Sequence, residues 1–131
     1  MRPRNSVSTK LALYSNDLGS VLLMYYPGRG IHGLPGGHVE VNEDPDETIK
    51  RELLEELTLT VDTMKRADFF LHPGKHSRII LGYVAIAPVE ISIKPTRPGF
   101  EHGTWITKNE FDHVAISDSY RNFINENWPK Q

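Results

Sequence analysis

The chain has no cysteine. That excludes disulfides, thiolate metal centres and a cysteine nucleophile, and it agrees with a reducing compartment without requiring one. No apolar stretch approaches the ~20 residues that a membrane-spanning helix needs. The first apolar run, residues 21–26, is short and lies behind polar sequence, so nothing near the start reads as a secretory signal. A large charge of one sign is missing as well: 15 basic against 17 acidic residues leave a formal net charge of −2. There is no general basic field to recruit duplex nucleic acid, and a nucleic-acid partner is not expected. Arg2, Arg4 and Lys10 make the first residues locally basic, which reads as a solvated tail. These absences lead to the expectation of a soluble, cytoplasmic protein.

The residues present fit one globular unit. A length of 131 residues is close to the commonest domain size, and 38% apolar with 24% charged residues is neither a disordered nor a membrane composition. Residues 1–131 are therefore expected to form a single domain. Residues 7–14 and 20–26 read as strands, with Asn16-Asp17-Leu18-Gly19 supplying turn chemistry for a hairpin. Pro27-Gly28-Arg29-Gly30 and Leu34-Pro35-Gly36-Gly37 break the chain after the second strand, so residues 31–41 should be irregular or weakly extended. Asp44-Pro45-Asp46-Glu47 is a helix start: Asp44 can cap, Pro45 suits the first turn, and Glu47 stands where a capping box places its acid. Ile49, Leu53, Leu54 and Leu57 give that helix an apolar stripe ending near Leu57 to Thr58. Extended runs are expected at 67–71, 78–87 and 103–107, with loops at Pro73-Gly74 and around residues 95–99. A last helix should run over 118–128 with Tyr120, Phe123, Ile124 and Asn127 on one face. Strands interleaved with two helices indicate an α/β sandwich with a mixed sheet.

The chemistry concentrates between Gly37 and Leu59. Glu52, Glu55 and Glu56 stand three and four residues apart on the helix, so their carboxylates share a face and repel one another. No interspersed lysine relieves them. A hard divalent cation converts that repulsion into ligation, because Mg²⁺ and Mn²⁺ prefer carboxylate and water oxygens. Gly36 and Gly37, just before the helix, let the backbone come close and offer a carbonyl as a further ligand. Arg51 sits one turn after Glu47 and one turn before Glu55, placed to bridge acids along the helix and to reach Glu43 across the loop. Six fixed positions of this kind should recur by chance in fewer than about one in 10⁵ chains of this length.

The pattern Gly-x₅-Glu-x₇-Arg-Glu-Leu-x-Glu-Glu resembles the signature box of the Nudix hydrolases, matched by Gly37, Glu43, Arg51, Glu52, Leu53, Glu55, Glu56 and Leu59. The box covers 23 residues, and the order of strands around it extends the resemblance over the whole chain. Thr58 stands where the family usually has glycine. A β-branched residue adopts a left-handed helix terminus only with strain, so the helix end is expected to be shaped differently here. The resemblance implies an α-β-α sandwich and Mg²⁺-dependent hydrolysis of a nucleoside diphosphate linked to a group X. By position it implies that Glu52, Glu55, Glu56 and the Gly36 carbonyl hold the cation, with Glu56 the principal ligand and Glu52 a candidate base. The family sometimes uses a base outside the box, and Glu101, before the Trp105 strand, is the candidate. Family members are often dimers, which makes a homodimer possible here.

The box says little about X. Pro73-Gly74 after the box is similar to what ADP-ribose-cleaving members show, although His72 replaces the usual serine. A nucleoside triphosphate is the first reading of X, and ADP-ribose or another sugar nucleotide the second. A sensor that binds a nucleotide without turnover is the alternative class, and its members usually lack box acids. Arg29, His32 and Arg78, with Lys75, lie in or beside loops and are candidates for contact with phosphate or ribose. Tyr14, Tyr26, Phe70 and Trp105 could stack on a base, with core packing the commoner role. The six histidines show no metal-ligand spacing, and no zinc site is assigned.

Overall fold

The computed structural model describes residues 6–88, 93 and 101–130. In chain order the elements are β1 (Ser6–Tyr14), β2 (Ser20–Tyr26), β3 (Ile31–Gly33), β4 (Gly36–His38), α1 (Pro45–Leu57), β5 (Lys65–His72), β6 (Arg78–Ile86), β7 (His102–Thr107), α2 (Lys108–Phe111) and α3 (Asp118–Asn127). The sheet runs β3-β2-β1-β6-β5, with β4 added to β1 and β7 to β2. The β1–β6 pair is parallel and the others antiparallel. Residues 95–99, read as a loop, lie outside the described residues, as do Arg2 and Arg4.

The alternation of side chains along β1 and β2 sorts the core into two halves. Leu11, Leu13, Leu22 and Met24 face α1 and meet Ile49, Leu53 and Leu57. Ala12, Tyr14, Val21 and Leu23 face the other way and meet Phe111 of α2, Tyr120, Phe123 and Ile124 of α3, and Trp128 just beyond it. The result is an α-β-α sandwich with a mixed sheet. β1 and β2 pair in register at Tyr14 and Val21, and β4 then takes the place beside β1, opposite Ser8, Thr9 and Lys10. The sheet therefore splits beside the β4 glycines, and the split positions the site.

Three local expectations change. Residues 31–41 contain two short strands, because β2 and β1 offer them unpaired edges. The Asp44 side chain accepts from the Asp46 N–H at 2.8 Å, and Glu47 closes no box. A complete capping box occurs instead at α2, where Thr107 and Glu110 exchange bonds on a helix that has too few residues to show periodicity. Thr58 adopts the left-handed conformation at φ 51° and ψ 41°. Its N–H donates to Leu54 O at 3.0 Å, and the Leu59 N–H turns back to Leu53 O at 3.2 Å. The helix end thus keeps the left-handed turn that a glycine would give, with the strain placed on an exposed threonine.

Candidate active site

The two glycines of β4 set the site's geometry. Gly36 has φ 139°, and a Cβ on it would lie 2.0 Å from Thr9 O. No other residue fits this approach of β4 to β1. A Cβ on Gly37 would lie 2.4 Å from the Glu52 carboxyl carbon, so Gly37 makes room for a box acid. The Gly36 N–H donates to Glu56 Oε1 at 3.0 Å. Glycine at both positions thus lets the strand lie directly against the acids of α1.

Arg51 organises the acids next to it. Its Nε and Nη2 donate to the two carboxylate oxygens of Glu43 at 2.7 and 3.1 Å, a bidentate pair. Its Nη1 donates to Glu52 at 3.1 Å and to Glu55 at 3.2 Å. Nη2 also lies 3.7 Å from Glu40 and 3.4 Å from His38 O. Thr48 adds a hydroxyl bond to Glu43 at 2.7 Å. These bonds, Arg51 first, hold the Glu43 carboxyl down at about 2, so it stays ionised as an anchor for the guanidinium. The expected reach of Arg51 across the loop is therefore present, with Glu43 as its strongest partner.

Glu56 is different. It is half-buried, and burial pushes its carboxyl up to about 7, with Glu52 and Glu101 adding to the push against the Gly36 N–H and Lys10. Burial of this kind disfavours the ionised carboxylate unless a positive charge is brought to it. Among the described residues no three His, Asp or Glu side chains are gathered closely enough to hold an ion as they stand. Arg51 instead holds Glu52 and Glu55, and the Gly36 amide holds Glu56. The donor set nevertheless fits a hard divalent cation: three carboxylates and the carbonyls of a glycine strand, without nitrogen or sulfur.

The remaining candidates are scattered. Glu101 is exposed and immediately precedes β7, and its charge acts on Glu56, Lys10 and Tyr26. Arg29 lies 6.0 Å from the Tyr26 ring in the turn after β2, and Tyr26 in turn feels Glu56 and Glu101. Arg78 opens β6 and acts on Lys10, His72 and Tyr120. His32 packs its ring 4.8 Å from Tyr25 and donates its backbone N–H to Ala115 O at 2.7 Å. Its contacts are therefore with β2 and the loop after α2 rather than with the acids. Of the aromatic candidates, Tyr14 is core and donates to Ile124 O at 2.7 Å, while Trp105 and Phe70 pack against the two core halves. Tyr26 lies in the field of Glu56 and Glu101.

Sequence reading missed Lys10. It is 7% exposed, in the middle of β1 and not in a solvated tail. The available signal was its place in a strand buried on both faces: Ser8, Thr9, Leu11, Ala12, Leu13 and Tyr14 are all buried. Burial holds its ammonium below the usual lysine range, against the pull of Glu56.

Glycines pressed against an acidic helix thus stand at the split of an α-β-α sandwich of the Nudix type. The NUDIX domain pattern matches residues 6–126, and the chain belongs to the Nudix family. No curated protein matches it. Among solved structures it is similar to the NUDIX domain of Shewanella oneidensis NrtR complexed with ADP ribose, with TM-score 0.80 and 15% identity over 95% of this chain and 87% of that one. It is also similar to the MutT NUDIX hydrolase of Burkholderia pseudomallei, with TM-score 0.76 and 20% identity over 95% and 98%. The E. coli dihydroneopterin triphosphate pyrophosphohydrolase gives TM-score 0.71 and 19% identity over 98% of each chain. No helix among the described residues is long and apolar enough to cross a membrane.

Proposed function

We propose that the chain is a Mg²⁺- or Mn²⁺-dependent pyrophosphohydrolase that cleaves nucleoside triphosphates to a nucleoside monophosphate and pyrophosphate. The observation that carries this reading is the half-buried Glu56, held by the Gly36 amide beside Glu52. Glu52, Glu55, Glu56 and the Gly36 carbonyl would hold the cation. When bound it neutralises diphosphate oxygens and makes the attacking water more acidic. Arg51 keeps Glu52 and Glu55 from drifting apart, and Glu43 keeps Arg51 in place. In the reaction the water oxygen bonds to phosphorus, the anhydride oxygen leaves with the bond's electrons, and a carboxylate accepts the water's proton. Glu52 is the first candidate for that acceptor, because it sits against Gly37. Glu101, open to solvent before β7, is the second. Arg29, Arg78 and His32 are assigned to substrate contact.

A second reading, ADP-ribose or another sugar nucleotide, draws on the Pro73-Gly74 turn between β5 and β6 and on the likeness to a domain that takes ADP ribose. A sensor without turnover is disfavoured because every box acid is present. Phosphate release, coupled to a pyrophosphatase and a phosphatase that liberate it from the products, across a panel of triphosphates, ADP-ribose and sugar nucleotides, with Mg²⁺ and with chelator, tests the proposal. Triphosphate turnover that chelator abolishes is expected. Tight metal-dependent binding with no turnover of any compound would overturn it in favour of the sensor.

A further inference from the structure

Box chemistry leaves Lys10 unexplained. Its side chain points to the face of Ala12 and Tyr14, away from α1, because its neighbours Thr9 and Leu11 take the other face. Its ammonium has no hydrogen bond or ion pair with any described residue. Lysine is almost never fully buried without a partner. Lys10 pairs in register with Gly36, whose N–H holds Glu56, and on its other side β1 pairs with β6, which opens with a second cation.

That second cation, Arg78, is half-buried and equally without a hydrogen bond or ion pair among the described residues. It pairs in register with Ser6 on β1 and with His72 on β5. Beyond it, His72 lies flat on Tyr120, with ring centroids 4.6 Å apart and planes 11° apart, and its Nδ1 shares a hydrogen bond with Ser119 Oγ at 2.7 Å. By register Ser6 with Arg78 and Lys10 with Gly82 lie on one face of the β1–β6 ladder, with the Gly36-held Glu56 beside Lys10 and the aromatic pair at the start of α3 beside Arg78. Glu52 and Glu55 are already paired with Arg51. A divalent cation at Glu56 would take up the carboxylate that acts most strongly on Lys10, leaving the exposed Glu101 as the remaining acid in its field.

We propose that Lys10 and Arg78 form an anion subsite next to Glu56, taking the phosphate beyond the diphosphate held at the acids. This selects nucleoside triphosphates over sugar nucleotides, whose X is neutral and would leave both cations unpaired. The inference rests on reading the box acids as a diphosphate-cleaving centre.

The test uses the full chain with Mg²⁺ and measures calorimetric binding of inorganic tripolyphosphate and pyrophosphate. The variants are Lys10→Met, which keeps the buried bulk, and Arg78→Gln. A charged hydrogen bond is worth about tenfold or more in affinity. Each variant is expected to lose about tenfold for tripolyphosphate and less than about twofold for pyrophosphate. Lys10→Met should melt at or above the wild type, because it replaces a largely buried charged side chain with apolar bulk. Equal losses for both probes, no loss for either, or a lower melting temperature with both affinities lost would overturn the subsite. Failure of the underlying reading shows separately, as absence of Mg²⁺-dependent turnover of any diphosphate-linked compound whatever the binding difference.

Discussion

Arg51 and Lys10 are both cations within the field of the box acids, and the fold treats them in opposite ways. Arg51 reaches from α1 to Glu43, Glu52 and Glu55 and is cross-linked on every side. Lys10, on the other face of the split sheet, is more deeply buried and bonded to nothing described. In the first arrangement the guanidinium has its counter-charges and the geometry is held before any ligand arrives. The second has a deficit that a ligand can fill. Charge alone does not separate a scaffold residue from a binding residue; the inventory of partners does.

The largest effect that would break this contrast is at Glu56. Glu56→Gln keeps the shape and removes the charge. Loss of a metal-held transition state worth several kcal/mol should lower kcat/KM by roughly 10³-fold, with an unchanged circular dichroism spectrum. Next comes Arg51→Lys, which keeps one charge but loses the fork that spans Glu43 and Glu52. Turnover should fall about 10–100-fold, as for other residues that orient metal ligands, and the Mg²⁺ concentration for half-activation should rise. An Arg51→Lys enzyme with wild-type Mg²⁺ dependence would show that the network is decorative.

The pH dependence sharpens the same point. With its cation-free carboxyl near 7, Glu56 must release a proton to bind metal at pH 6 but much less so at pH 8. Mg²⁺ affinity should therefore drop by up to tenfold per unit below pH 7, and Glu56→Gln should remove that dependence. The stability sign is opposite to the usual carboxylate. Between the unfolded value near 4.5 and the folded value near 7, the native state binds more protons than the unfolded one. Cation-free stability therefore falls as pH rises through that window, and chelator-treated protein melted at pH 5 and pH 8 checks it. The smallest effect lies outside the site. Thr58→Gly should relieve left-handed strain and stabilise the fold by about 1 kcal/mol, read as a rise in Tm, with turnover within about twofold.

Much of this was legible in the sequence, for physical reasons that differ by element. The acidic helix was readable because Asp44, Pro45 and the Ile49–Leu53–Leu57 stripe all point to one structure. The Arg51 bridge came from helical spacing plus one loop contact. β3 and β4 were not readable, since three-residue strands form only because β1 and β2 offer them edges. Thr58 was expected to reshape the helix end, yet packing of Leu57 and Leu59 into the α1-side core holds the chain in the left-handed turn despite the side chain. Lys10 escaped because a lysine near a basic terminus looks solvated, and only strand alternation with β4 and β6 on either side shows that it is enclosed.

The most direct test of the central claim is phosphate release, coupled to a pyrophosphatase and a phosphatase acting on the products, by wild type and Glu56→Gln across triphosphates, ADP-ribose and sugar nucleotides, with Mg²⁺ and with chelator. The account predicts triphosphate turnover that needs metal, exceeds that of sugar nucleotides and nearly vanishes in Glu56→Gln. Full activity in Glu56→Gln, or turnover indifferent to chelator, would contradict it.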